Sequence, residues 1–287
     1  MSRPDVTAFF DEATFTVSYL VADPETGRAA AIDPVLDFDP ASGRTSTQSA
    51  DALLAYLSEH ELVLDWLLET HVHADHLSGA HYLKQKTGAK TAIGKHVADV
   101  QATFKPIFNL GDLAADGSQF DRLFVDGDEF GIGELTGRVI ATPGHTPACI
   151  TYLIGDAAFV GDTLFMPDFG TARTDFPGGD AGSLYDSIQR ILSLPNETRL
   201  FMCHDYKAPG RNEYAWETTV AEQREHNVHV GNGVDRAAFV ERRETRDREL
   251  GMPKLILPSI QINVRGGALP PPEDNNIRYL KLPIDAL

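Results

Sequence analysis

Thr70-His71-Val72-His73-Ala74-Asp75-His76 places three imidazoles and a carboxylate within seven residues. That is a dense set of side chains able to ligate a metal. The apolar run Leu62-Val63-Leu64-Asp65-Trp66-Leu67-Leu68 before it reads as a buried strand, and Leu77-Ser78-Gly79-Ala80-His81 after it as the start of a helix. Strand, ligand-rich loop, helix is a way to hold a site on a rigid frame. In extended chain His71 and His73, two apart, share a face. The plain alternative is that Asp75 caps the helix and the histidines are surface residues; matching partners later in the chain argue against it.

Three later stretches repeat the pattern. Thr142-Pro143-Gly144-His145 puts a histidine in a turn after a strand, Val160-Gly161-Asp162 puts a carboxylate just past a strand, and Met202-Cys203-His204-Asp205 puts a histidine just past another. Five of the ten histidines thus fall in these motifs, joined by Asp75 and Asp162. Any one of them alone reads as structural; together at strand ends they read as a metal centre.

Outward from these motifs the reading is strands at 14–21 and 29–34, a polar loop at 37–44, and an amphipathic helix over 47–60. In that helix Ala50, Leu53, Leu54 and Leu57 recur at helical spacing. A short strand is expected at 90–93, and 95–108 is ambiguous. Residues 120–154 read as a series of hairpin strands, continued by 157–160, with a helix from an Asp180 cap to 194 and a strand at 198–202. Strands and helices alternate in both halves, which implies an α/β sandwich of two sheets flanked by helices. We expect a single domain over 1–287, with 216–287 a helical and extended C-terminal elaboration.

The net charge of −17 disfavours nucleic acid and anionic membrane as partners. It also means that an anionic substrate needs positive charge concentrated locally. Two cysteines, Cys149 and Cys203, give no disulfide framework and fit a reducing cytoplasm; both read as packed thiols rather than nucleophiles. The stretch Met1–Val6 lacks a signal-peptide layout, and no run approaches a membrane span.

The pattern His71-x-His73-x-Asp75-His76, then His145, Asp162 and His204, resembles the metallo-β-lactamase superfamily over roughly residues 15–210. That implies an αββα sandwich with the metal at one end of the sheets. Ala172-Arg173-Thr174-Asp175-Phe176, His204-Asp205-Tyr206 and Ile32-Asp33-Pro34-Val35 resemble the persulfide dioxygenases, and Gly43-Arg44-Thr45-Ser46 with the long tail is similar to their longer bacterial members. The resemblance implies one Fe(II) held by His71, His145 and Asp162. It further implies that His73, Asp75, His76 and His204 orient those ligands, and that glutathione persulfide, O₂ and water give sulfite and glutathione. Two histidines and a carboxylate leave open positions for substrate and O₂. Homo-oligomers, dimers above all, are also implied.

Arg173, Lys207 and Arg211 are the cations near ligand-bearing loops, so Arg173 and Arg211 are candidates for the glutathione carboxylates. Internal ion pairs with Asp175 or Glu213 are the competing role. Tyr206 is a candidate hydrogen-bond donor at the iron. The rival enzyme is a binuclear zinc thioesterase resembling glyoxalase II. There His71, His73 and His145 hold one Zn²⁺, Asp75, His76 and His204 the other, and Asp162 bridges. A non-catalytic metal-binding or sulfur-carrier protein is a further alternative, disfavoured by open coordination positions.

Overall fold

Alternate residues of the second strand face two different interiors. Val17, Tyr19 and Val21 join one apolar cluster; Leu20 and Ala22 join another. A strand buried on both faces is nearly continuous in apolar residues, as this one is. The computed structural model describes residues 3–286 and fixes both interiors; Met1 and Ser2 of the leader reading, and Leu287, lie outside the described residues.

The first sheet contains β1 (Asp5–Asp11), β2 (Thr16–Ala22), β3 (Arg28–Ile32), β6 (Val63–Leu68), β8 (Lys90–Gly94) and β9 (Arg122–Phe124) in that order. Its first three strands are antiparallel and β3, β6, β8 and β9 run parallel. The second sheet runs β10 (Glu129–Ile132), β11 (Leu135–Ala141), β12 (Ile150–Ile154), β13 (Ala157–Phe159), β14 (Arg199–Phe201), β15 (Glu217–Thr219), with only β13 and β14 parallel. Between the sheets Tyr19, Ile32 and Phe124 meet Phe130, Tyr152, Phe159 and Phe201. Each such buried side chain contributes about 1.5–3 kcal/mol.

Helices α1 (Gln48–Glu59) and α2 (Ala80–Thr87) cover the outside of the first sheet, where Leu53, Leu57 and Leu83 pack on Leu20 and Leu67. Helices α4 (Ala181–Leu192) and α6 (Arg236–Asp247) cover the second, through Leu184, Ile188 and Phe239 on Ala158 and Leu200. The layers are therefore helix, sheet, sheet, helix, as the alternation of elements implied. Helices α3 (Val97–Ile107) and α7 (Ile256–Asn263) pack together against Val72 and Ala74; α5 (Val220–His226) follows β15.

Several local expectations are corrected. The polar stretch 37–44 is not a loop throughout. It takes in the end of β4 (Val35–Asp39) and leads into β5 (Arg44–Ser46); β4 pairs with β5 on one side and β7 (Leu77–Ser78) on the other in a small third sheet. The helix after the central loop, expected from Leu77, begins at Ala80 with Gly79 at its N-cap, because Leu77 and Ser78 first pair with Leu36 and Val35. The hairpin series at 120–154 divides between the sheets: β9 joins the first in parallel with β8, and the antiparallel run starts at β10. Strand β1 and helix α7 carry too little contrast in hydropathy to stand out in the sequence. Among the described residues no helix is long and apolar enough to cross a membrane.

Candidate metal centre

Five strands from both sheets, β3, β6, β11, β13 and β14, end at one edge of the sandwich. Just past their ends lie Asp33, the His71–His76 loop, His145, Asp162 and His204. Two glycines are dictated by this convergence. Gly144, before His145, has φ +144° and a Cβ there would sit 2.3 Å from Leu184 Cα. Gly161, before Asp162, has φ +51°, and its Cβ would sit 2.6 Å from Thr70 Oγ1. Both are left-handed positions crowded by a neighbour, which only glycine tolerates.

The structure brings together all seven predicted ligand-type residues. His71, His145 and Asp162 form one group with donor atoms within 4.8 Å of one another, and His73, Asp75, His76 and His204 a second. His71 Nε2 and His145 Nε2 lie 3.9 and 3.7 Å from Asp162 Oδ2. His204 Nε2 lies 3.4 Å from Asp162 Oδ1 and 3.0 Å from Asp75 Oδ2, without alignment for a hydrogen bond to either. Asp162 thus touches both groups.

The outer nitrogens are fixed. His145 Nδ1–H donates to the Arg173 carbonyl at 2.8 Å. Thr70 donates its hydroxyl to Asp33 Oδ2 at 2.8 Å and so accepts from His71 Nδ1–H at 3.0 Å. His204 Nδ1 faces the Phe15 carbonyl at 3.2 Å. His73 is turned the other way: Nε2–H donates to Asp33 Oδ1 at 2.9 Å. Left bare and buried are His71 Nε2, His73 Nδ1, His76 Nε2, His204 Nε2 and Asp162 Oδ1. Each unsatisfied buried group costs about 1–3 kcal/mol, and a cation bound in either group satisfies the bare atoms of that group. The donor set therefore fits a metal ion.

Protonation favours the same role for His71 and His76. Burial, then neighbouring His73, holds His71 well below its ordinary pKa, and burial takes His76 down to about 4. Both are neutral imidazoles at pH near 7, the form that ligates. For His204 burial is outweighed by the Asp75 and Asp162 carboxylates, which lift it to about 9. Burial raises the Cys149 thiol to about 12 and Cys203 above its ordinary value. Both are buried, consistent with packed thiols.

Sequence reasoning misses two positioning residues. Asp33 reads only as part of a family motif, yet it is the hub of the site, accepting from Thr70 N (2.7 Å), Thr70 Oγ1 and His73 at 2% exposure. Its Asp-Pro dipeptide after a strand is the available signal. Asn263 donates to the carbonyls of His73 and His76 and accepts from Ser78 N, each at 2.8 Å. Nothing in its local sequence announces that.

Two of the candidate substrate residues lie directly beside ligands, Tyr206 against His204 and Arg173 against His145. Tyr206 stacks on His204 with centroids 5.6 Å apart and packs edge-on to Phe165 and beside Phe15. Burial, then Asp75 and Asp162, raise its pKa, so its hydroxyl stays protonated. Arg173 is held bidentately by Asp175 at 2.6 Å and donates to the Gly251 carbonyl. Arg211 commits all five N–H groups: two to Asp168, two to buried Asp205 and one to the Glu213 carbonyl. Lys207 Nζ lies 3.9 Å from the Tyr214 ring centroid. In this structure the arginines therefore sit in internal ion pairs, for Arg173 the competing Asp175 pair. A cavity of about 500 Å³ lies between Thr14, next to Phe15, and Leu255, next to Ile256; Arg44 stands on its wall.

The family model for the metallo-beta-lactamase superfamily matches residues 12–204. A "Beta-lactamase hydrolase-like protein" of Xylella fastidiosa is 57% identical over the whole chain, which spans 66% of that relative's length. "Glyoxylase B2" of Dictyostelium discoideum is 49% identical, with 100% of this chain and 99% of that one covered. The human mitochondrial persulfide dioxygenase ETHE1 is 33% identical over 69% of this chain and 66% of its own. A solved structure of ETHE1 from Myxococcus xanthus superposes with TM-score 0.74 at 33% identity, covering 92% of this chain and all of the other.

Proposed function

Because the chain belongs to the metallo-β-lactamase superfamily, we propose that it is a member specialised for sulfur oxidation, a persulfide dioxygenase with one Fe(II) per chain. The reaction is glutathione persulfide plus O₂ plus water to glutathione and sulfite. The observation that carries this reading is the compact triad of His71, His145 and Asp162, each histidine fixed through its far nitrogen. Two histidines and one carboxylate leave a face open for two further ligands. Similarity to the human persulfide dioxygenase supports it.

When bound, the iron supplies the redox chemistry that joins the terminal sulfur to dioxygen. The chain supplies orientation. Asp33, through Thr70, holds His71 in the tautomer that presents Nε2. The Tyr206 hydroxyl, kept protonated, is the donor available beside His204 to a sulfur or oxygen anion. Asp75, 3.0 Å from His204 Nε2, stays an ionised carboxylate beside the site, since burial is outweighed by His204 and His76, which hold it well below its ordinary pKa. Phe15, Phe165 and Phe169 pack around the partly exposed Tyr206 ring and orient it. With Arg173 and Arg211 committed elsewhere, Arg44 on the adjoining cavity is the better candidate for a glutathione carboxylate.

A second reading has its own support. All seven donors are gathered, Asp162 touches both groups, and a relative named glyoxylase is 49% identical over nearly its full length. That reading is a binuclear zinc thioester hydrolase. Oxygen uptake by anaerobically purified protein decides: the dioxygenase consumes O₂ with glutathione persulfide and leaves a glutathione thioester intact, and the hydrolase does the reverse. The homodimer stays a proposal, tested by sedimentation.

A further inference from the structure

The family model ends at residue 204, yet two loops that carry the candidate ligands are held by side chains beyond it. We infer that the C-terminal segment is a working part of the metal centre, with Asn263 and Asp247 as positioning residues. This rests on the site binding a metal, whichever metal and reaction it serves.

Asn263 ends α7 and is 4% exposed. Its Nδ2 has two hydrogens and gives one to the carbonyl of His73 and one to that of His76. Its Oδ1 takes the Ser78 N–H. The primary amide is thus fully used, and it pins the backbone on both sides of Asp75. Apolar packing seats the helix where the amide can reach. Ile256 and Ile260 pack with Val72 and Ala74 on one side of the loop, and Ile262 packs with Leu77 on the other. Both carbonyls belong to fully buried residues, and an unpaired buried carbonyl is costly enough that the loop moves to satisfy it.

The second grip is on the strap before α4. Asp247 Oδ2 accepts from Thr174 N and Oγ1, both at 2.9 Å, and its Oδ1 pairs with Arg243, which also donates to the Thr171 carbonyl at 3.1 Å. Arg243 and Asp247 are 4% and 5% exposed. Between Thr171 and Thr174 sits Arg173, whose carbonyl orients His145. Asp247 therefore acts on His145 through one peptide unit. Partners that orient a ligand in this way change metal affinity by about 10–100-fold.

The test uses the full chain with Co²⁺ as probe. Asn263→Asp keeps size and shape but has no hydrogens for the two carbonyls; Thr174→Val keeps the β-branch but loses the hydroxyl that Asp247 grips. Affinity is measured by chelator competition, the visible Co²⁺ spectrum is recorded, and unfolding is followed separately without metal. We expect both variants, folded at the assay temperature, to bind Co²⁺ about tenfold or more weakly with an altered spectrum. If Asn263→Asp does not fold, Thr174→Val alone carries the test. Loss of thermal stability with wild-type affinity and spectrum means that the segment merely packs, and overturns the inference. A wild-type chain that binds no Co²⁺ contradicts both this inference and the proposed function, whereas wild-type binding with unchanged variants contradicts this inference only.

Discussion

The region up to residue 204 and the region beyond it contribute to one site in different ways. The first supplies every candidate ligand, on the ends of β6, β11, β13 and β14. The second supplies none of them, and holds the ligand loops through Asn263, Asp247 and the Arg211–Asp205 pair. Ligation needs a particular side chain, so it is written in residue type. Positioning needs only a hydrogen bond at the right place, which many residue types supply, so it is written in the fold.

The largest effect separating the two regions comes from Asp162, which touches both donor groups. Asp162→Ala is expected to lose its metal and at least about 10³-fold in turnover, several kcal/mol of barrier. Metal analysis with an activity assay checks it; full metal occupancy in this variant breaks the ligand assignment. Next is Asp33, inside the first region but acting as the second does. Asp33→Asn is expected to weaken metal binding about 10–100-fold, read by chelator competition. Unchanged affinity makes Asp33 a folding residue only.

Arg211→Ala sharpens the comparison further. It leaves buried Asp205 unpaired, so we expect about 3 kcal/mol lower stability, measured by denaturant titration. A rise in KM for the proposed persulfide substrate with stability intact restores Arg211 as a substrate contact. The smallest effect is His229, whose Nδ1 accepts from Thr171 N at 3.0 Å. Burial, then Arg243 and Arg242, lower it to about 4 from an ordinary 6.5. Between those values the unfolded chain binds a proton that the folded chain does not, so stability falls as pH drops through this window. His229→Gln should flatten that fall in denaturation midpoints compared at about pH 7 and about pH 4.5; an equal slope denies His229 a share in the strap.

How much the sequence reveals follows the same division. The layers are readable because β2, β6, β13 and α1 bury apolar residues at clear periods. The seven ligand-type residues are readable because histidine and aspartate clustered at strand ends are rare without a metal. The pairing of β9 with β8 rather than β10 is not readable, since three residues carry no label for their sheet. Nor are the commitments of Arg173 and Arg211: a cation near a ligand loop serves substrate or scaffold equally until its partners are in place. Asn263, 187 residues from His76 in sequence, has no local signal at all.

The most direct test of the proposed mononuclear iron centre is anomalous diffraction at the iron and zinc edges from crystals grown without added metal. A single iron peak capped by His71, His145 and Asp162 is the predicted result. Two zinc peaks bridged by Asp162, with His73 and His76 also bound, would contradict it.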